Sequence, residues 1–362
     1  MTPSPSSPSP DPRTGQAGGP ARPRFASLQA GRGLAALLVV LYHANGHLEL
    51  NQVTSTVGSW FRFGHVGVDY FFVLSGIVML LAHRGDIGRT GVTGRYATKR
   101  AVRLLPMYWV ALGLCLALRM VARNTPKPDI GDVLLDAVLV PTGASEPIVG
   151  VAWSLQLEVF FYAVFGLLLW RPRIGALALV AWLAASALKS MGLLDLGGDP
   201  RIARWFSGYT VQFGFGLAAA HLAVREGAAR SALVLGVLVL STGVAAELRG
   251  SLDGVSFLAQ LVYGAGSGLL LLGLLRLESQ RPLPVGRLLH GLGDASYSLY
   301  LFHLPGIGIT DKVLEVTGVQ ASLPGDLRFA LIAAGGIALG TALGTWIEPR
   351  LTRAVRERLR HH

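Results

Sequence analysis

Long apolar stretches alternate with short polar links along the chain from residue 27 to residue 347. Ten of these stretches approach the roughly 20 residues that an α-helix needs to cross a bilayer. They lie at 27–47, 64–83, 104–121, 150–170, 174–190, 205–224, 231–247, 255–275, 292–310 and 328–347. The pattern predicts an all-α fold, a polytopic membrane helical bundle with about ten transmembrane helices.

Two terminal segments differ from this bundle. Residues 1–24 are rich in Pro, Ser and Gly and hold no apolar run, which favours a disordered leader over a cleaved signal peptide. We therefore expect a transmembrane domain over 25–350 and a basic cytoplasmic tail over 351–362.

The composition agrees with a membrane protein. Hydrophobic residues make up 51% of the 362 residues and charged residues only 15%, against about a quarter in soluble domains. Such a chain has too few charges to cover a soluble domain, which excludes an ordinary soluble enzyme and an intrinsically disordered protein. The single cysteine, Cys115, excludes an internal disulfide, and the histidines lack metal-ligand spacing, so we expect no metal.

The net charge of +11 could indicate a nucleic-acid partner in a soluble protein. In a membrane protein, Lys and Arg instead concentrate in the cytoplasmic segments. When the N-terminus is placed inside, most of the 32 Lys and Arg residues fall on that same side. We therefore expect both termini in the cytoplasm, a lipid bilayer around the chain and no nucleic acid.

Arg32 and His43 lie in the first stretch, within the motif GRGLAALLVVLYHANG. Eleven positions make about three helical turns, so the two side chains share one face and lie roughly 16 Å apart along the axis. Ionisable groups in a membrane helix are costly and usually functional. The alternatives are a snorkelling anchor for Arg32 and an interhelical hydrogen bond for His43.

Two carboxylates are predicted at a depth similar to that of His43. Asp69 lies in GVDYFFVLSG and Glu158 in VAWSLQLEVFFY, and either could orient a histidine ring and raise its basicity. Asp69 could instead favour a helix N-terminus, and Glu158 could be protonated or paired. Tyr162 follows Glu158 by one turn and could support the site. Trp153 could also support it, although it is first typical of an interfacial aromatic belt.

Two further motifs carry polar residues on one helix face. Arg100 and Arg103 in RYATKRAVRLLPMYW suit a phosphate-bearing ligand on the cytoplasmic side, or form a positive-inside signal. Tyr300 and His303 in DASYSLYLFHLP are three residues apart, and could support the site or make a structural contact beneath Pro305.

The motifs SLQAGRGLAALLVVLYH, GVDYFFVLSG, KRAVRLLPMYW, AWSLQLEVFFY and SYSLYLFH, in this order, resemble the membrane-bound acyltransferase 3 family of O-antigen and exopolysaccharide O-acetylases. The resemblance covers about 25–350. It implies a ten-helix protein of the bacterial cytoplasmic (inner) membrane that moves an acyl group, most often acetyl, from cytoplasmic acyl-CoA to a hydroxyl. The family's paired Arg and His match Arg32 and His43, its basic pair matches Arg100 and Arg103, and its Glu matches Glu158.

This resemblance and the residue pattern lead to one hypothesis. The three arginines hold the phosphates of acetyl-CoA or another acyl-CoA, which is a substrate and not a permanently bound cofactor. His43 is the general base, or carries the acyl group, and Asp69 or Glu158 sets its tautomer. The acceptor is a glycan, a glycolipid or a secondary metabolite, and the oligomeric state stays open.

Two other functions compete with this hypothesis. A transporter or flippase for a lipid-linked sugar or a small amphiphile also needs polar residues inside a helical bundle. A catalytically inactive sensor or scaffold would bind no acyl-CoA.

Overall fold

The computed structural model describes residues 25–122, 127–143 and 146–359, and in these ranges it is all-α, without a β-strand. In chain order the helices are α1 (Ala26–Leu50), α2 (Thr56–Ser59), α3 (Val66–His83), α4 (Val92–Val121), α5 (Ile130–Ala137), α6 (Ala152–Trp170), α7 (Pro172–Ser190), α8 (Pro200–Trp205), α9 (Thr210–Ala223), α10 (Ala229–Leu248), α11 (Phe257–Gln280), α12 (Arg287–Val316), α13 (Gly325–Trp346) and α14 (Glu348–Arg358). The predicted leader, 1–24, lies outside the described residues. Most of the predicted tail forms α14.

Each of the ten apolar stretches coincides with one of the long helices. Within the described ranges, seven helices are long and apolar enough to cross a membrane. The three that fall short are α9, which has only 14 residues, and α1 and α12, which carry several ionisable side chains. The structure thus confirms the helical bundle, while the count of ten and the side on which the termini lie stay predictions.

The helix ends gather on two sides of the bundle. One side holds the start of α1 and α12 and the end of α3, α9 and α11, and carries Arg84, Arg89 and His290. We call this the basic side. The far side holds the end of α1 and the link between α10 and α11, around Glu49 and Asp253.

Glycines bring α3 into backbone contact with two neighbours. A Cβ on Gly67 would lie 2.3 Å from the carbonyl oxygen of Ala35 in α1. A Cβ on Gly76 would lie 2.4 Å from the carbonyl oxygen of Phe213 in α9. Small residues allow such close helix approach in membranes. The packing therefore fixes the rotation of α3, and with it the direction of Asp69.

A buried ion pair joins α1, α12 and α13 near the far side. Arg328 donates to both carboxylate oxygens of Asp311, at 2.7 and 2.8 Å, and the imidazole of His47 lies 2.9 Å from the same carboxylate. Two-pronged guanidinium–carboxylate contacts impose a defined geometry. The pair holds α1 against α12 one to two turns beyond His43 and His303.

Candidate active site

Three cavities in the bundle are lined by the predicted site residues. The inner cavity, about 160 Å³, lies between α1, α3, α4, α6 and α12. The basic vestibule, about 1070 Å³, lies on the basic side and shares the lining residues Arg32, Leu74, Val78 and Arg103 with the inner cavity. The far pocket, about 700 Å³, lies on the far side and is lined by His43.

The inner cavity collects the three predicted arginines. Arg32 comes from α1, and Arg100 and Arg103 come from α4. Arg100 donates to the sulfur of Met79 at 3.7 Å, its guanidinium carbon lies 5.9 Å from the ring centre of Tyr162, and its Nε is buried without a hydrogen-bond partner. An unpaired buried donor is costly, and a phosphate oxygen would satisfy it. The cavity therefore has the chemistry of an anion site.

Glu158 faces these arginines from α6. Its Oε1 accepts hydrogen bonds from Ser75 at 2.8 Å and from Tyr162 at 2.5 Å, and its side chain lines the inner cavity. The expected grouping of Glu158 with His43 is wrong. Ser75 lies six residues from Asp69 toward the basic side of α3, so Glu158 lies closer to the basic side than expected, at the level of the arginines.

Sequence reasoning missed Glu348 at the start of α14. Its Oε2 accepts a hydrogen bond from Ser298 at 2.7 Å, and its charge interacts with those of Arg103 and Arg32. It therefore balances part of the positive charge on the basic side of the cavity. The only sequence signal was an acidic residue directly before Pro349, at the end of the last apolar stretch.

His43 pairs with another histidine. Its Nδ1 lies 2.9 Å from the carbonyl oxygen of Val39 and 3.1 Å from Nε2 of His303. Nδ1 of His303 lies 3.2 Å from the carbonyl oxygen of Leu299. Because a carbonyl oxygen only accepts hydrogen bonds, both rings carry their proton on Nδ1 when neutral. Nε2 of His303 then accepts from His43, and Nε2 of His43 keeps a free lone pair.

Asp69 contacts a different histidine from the one expected. It accepts a hydrogen bond from Gln212, and its second oxygen lies 3.9 Å from Nδ1 of His65. Nε2 of His65 lies 2.9 Å from Glu247, which also accepts a hydrogen bond from Tyr263. The expected pairing of Asp69 with His43 is wrong: Asp69 lies beside His65, which lines the far pocket. The spacing of four residues between His65 and Asp69 was the sequence signal for this contact.

Tyr300 links the inner cavity to the histidine pair. Its hydroxyl lies 2.6 Å from the Ser154 hydroxyl, and its ring centre lies 5.9 Å from that of His303. Trp153 packs against Tyr209 with ring centres 5.1 Å apart, and is half-buried in an aromatic cluster. The prediction of an interfacial aromatic belt did not include this packing, which makes Trp153 part of the helix contacts inside the bundle.

The far pocket offers many hydrogen-bonding groups beside His43. Its polar lining residues are Tyr42, Asn45, His47, Glu49, Arg62, His65, Glu247 and Asp253. Hydroxyl-rich molecules match this mixture of donors and acceptors. In the described part of the chain, no three His, Cys, Asp or Glu residues are placed to hold a metal ion.

Comparison with known proteins gives two kinds of match. The family model Acyl_transf_3, an acyltransferase domain, matches residues 25–348. The chain is 31% identical over 317 residues to the exopolysaccharide production protein ExoZ of Rhizobium meliloti (strain 1021). The aligned residues cover 85% of this chain and 96% of that protein. It is 27% identical over 333 residues to the putative membrane-bound transacylase BcsY of Komagataeibacter xylinus, over 83% of this chain and 78% of that protein. No solved structure matches.

Proposed function

Because the chain belongs to the Acyl_transf_3 family of membrane acyltransferases, we propose that it moves an acyl group, most often acetyl, from acyl-CoA to a hydroxyl of a cell-surface glycan. The observation that carries this proposal is the group of three arginines in the inner cavity and the free Nε2 of His43 in the far pocket, with Tyr300 between the inner cavity and the histidine pair. The protein would act in the bacterial inner membrane, with its basic side in the cytoplasm. The names of ExoZ and BcsY support a glycan acceptor and acyl transfer.

The basic side suits the acyl donor. The vestibule has room for a nucleotide, and the inner cavity would receive part of the pantetheine arm. Arg32, Arg100 and Arg103 would bind the phosphates where the two cavities meet. Arg32 and His43 are eleven residues apart on α1, about 16 Å of helical rise, which a pantetheine arm covers in large part.

The far pocket suits the acceptor. A sugar hydroxyl beside His43 would give its proton to Nε2 while its oxygen attacks the thioester carbonyl carbon. The tetrahedral intermediate then breaks its carbon–sulfur bond, and the CoA thiolate takes the proton back from His43. In the alternative route, Nε2 attacks the thioester first and the carbon–sulfur bond breaks to release the CoA thiolate. The acyl-His43 intermediate then passes the acyl group to the hydroxyl, whose proton goes to the thiolate as Nε2 is freed.

The proposed function is tested with purified protein in liposomes, radiolabelled acetyl-CoA and exopolysaccharide stripped of its esters by mild base. We expect label in the polysaccharide fraction that mild base releases again. Movement of a lipid-linked sugar across the liposome membrane without label transfer would show that the protein is a transporter and not an enzyme. The absence of both label transfer and acetyl-CoA binding would indicate a catalytically inactive sensor or scaffold.

His303 is expected to act through His43. Replacing His303 with Leu removes one of the two acceptors of the His43 Nδ1–H and leaves the Val39 carbonyl, and one lost hydrogen bond is worth about a tenfold fall in kcat. His303→Gln retains an acceptor oxygen and should restore much of that rate. The KM for acetyl-CoA should stay unchanged in both variants, because the arginines bind the donor. Equal kcat values in the Leu and Gln variants would contradict this role.

A further inference from the structure

Acyl transfer passes through a tetrahedral intermediate whose oxygen, the former thioester carbonyl oxygen, carries a negative charge. A side chain that donates a hydrogen bond to such an oxygen contributes about 100- to 1000-fold to kcat. His43 does not provide this donor, because its Nδ1–H is directed at the Val39 carbonyl and at His303, while Nε2 takes the proton or the acyl group. The donor therefore has to come from another residue of the far pocket.

Most side-chain donors of the far pocket are already bound to carboxylates. Three of them contact a carboxylate oxygen at 2.8 to 2.9 Å: Asn45 with Glu49, His47 with Asp311, and His65 with Glu247. Within the described residues, Tyr42 and Arg62 are the lining donors whose side chains make no hydrogen bond. Arg62 is exposed, whereas Tyr42 is half-buried and directly precedes His43 in α1. The free donor closest to His43 in the chain is thus the phenol of Tyr42.

Aromatic contacts hold the ring of Tyr42 in place. Its centre lies 5.0 Å from that of the His43 ring and 5.5 Å from that of the His65 ring, and both contacts are edge-to-face. A Cβ on Gly64 would lie 2.9 Å from the Cβ of Tyr42, so the glycine allows the segment before α3 to approach α1 closely at this point. A donor that is fixed before the reaction needs no reorganisation when charge develops. The packing thus holds a free hydroxyl group in the pocket that His43 lines.

We propose, on the basis of the function proposed above, that the Tyr42 hydroxyl donates a hydrogen bond to the oxygen of the tetrahedral intermediate. When the acceptor oxygen bonds to the thioester carbon, an electron pair of the carbonyl bond moves to the carbonyl oxygen. Tyr42 stabilises this charge and keeps its own proton. The pair then returns to form the ester carbonyl as the carbon–sulfur bond breaks, and the CoA thiolate takes the proton from His43. In the acyl-His43 route, the same hydroxyl serves both tetrahedral intermediates.

Tyr42→Phe tests this assignment, because it removes only the hydroxyl and keeps the ring contacts. In the full-length protein in liposomes, we expect the single-turnover rate of label transfer from acetyl-CoA to fall about 100-fold or more. The Kd for acetyl-CoA should not change, since the hydrogen bond forms only in the intermediate. Tyr108→Phe is the matched control and should keep the wild-type rate. The Tyr108 hydroxyl also has no hydrogen-bond partner in the described part of the chain, but Tyr108 lines none of the three cavities.

A more electrophilic donor separates this role from a structural one. In fluoroacetyl-CoA, the fluorine withdraws charge from the oxygen of the tetrahedral intermediate, so a hydrogen bond to that oxygen contributes less. The loss caused by Tyr42→Phe should therefore be smaller with fluoroacetyl-CoA than with acetyl-CoA. Equal losses with the two donors would mean that Tyr42 only shapes the pocket, and would overturn the proposal. A larger loss in Arg62→Gln than in Tyr42→Phe would also overturn it, because Arg62 would then be the donor.

The wild-type protein distinguishes a failure of this assignment from a failure of the proposed function. Absent label transfer from acetyl-CoA to the polysaccharide in the wild type would remove acyl transfer itself. Label transfer at the wild-type rate in Tyr42→Phe would leave acyl transfer in place and remove only the role of the Tyr42 hydroxyl.

Discussion

Replacing His43 with Gln is expected to lower acyl transfer by about 100- to 10,000-fold, the usual contribution of a general base. The amide of Gln fits the space and can hydrogen-bond to His303, but it takes no proton. Acetyl-CoA binding should persist, since the three arginines lie in another cavity. The measurement is the initial rate of label transfer from acetyl-CoA, together with the Kd for acetyl-CoA. His221→Gln is the matched control, because His221 is exposed at the end of α9.

Wild-type turnover in either His43→Gln or His43→Ala would remove His43 from the reaction. A rapid-quench experiment without acceptor then separates the two routes. Label that stays on the wild-type protein, and is absent from His43→Gln, indicates an acyl-His43 intermediate. Label that appears only with the acceptor present indicates direct transfer.

The bundle was predictable from the sequence because the bilayer imposes its thickness on each helix. Each apolar stretch became one helix, from 27–47 in α1 to 328–347 in α13. The same rule leaves the span count open at α1 and α12, where polar groups that build the site lower the hydropathy of the helix. In those helices, the polar residues that the site needs weaken the hydropathy pattern that marks a membrane span.

The site was predictable where residues share one helix or the same helix end. Periodicity placed Tyr300 beside His303, and the positive-inside pattern placed Arg32 with Arg100 on one side of the bundle. Across helices, counting residues from a helix end did not give the level at which two side chains meet. Glu158 lies with the arginines at the level of Ser75 instead of with His43.

The histidine pair shows most clearly that local sequence patterns do not predict contacts between helices. His43 and His303 are 260 residues apart, and no local pattern connects them. Their contact arises from the packing of α1 against α12, which the ion pair of Asp311 and Arg328 reinforces. A partner for His43 on another helix could be expected from the sequence, but its identity required the three-dimensional arrangement.

Replacing Arg100 with Gln is expected to raise the KM for acetyl-CoA by about 10- to 100-fold. The change removes a charge-assisted hydrogen bond to phosphate, worth about 1.5–3 kcal/mol. The kcat should change little, because Arg100 would hold the phosphates and not the reacting thioester. Lys99→Gln is the matched control: it removes the same charge one position away, from an exposed side chain outside the inner cavity.

A truncated donor makes this test specific. S-acetylpantetheine has the thioester and the arm but lacks the phosphates, so wild type and Arg100→Gln should use it with equal kcat/KM. The two changes should not add, because deleting the phosphate and deleting the arginine remove the same contact. If Arg100 were instead a positive-inside signal, Lys99→Gln would impair the protein as much as Arg100→Gln does. Equal losses with both donors would place Arg100 outside the phosphate site.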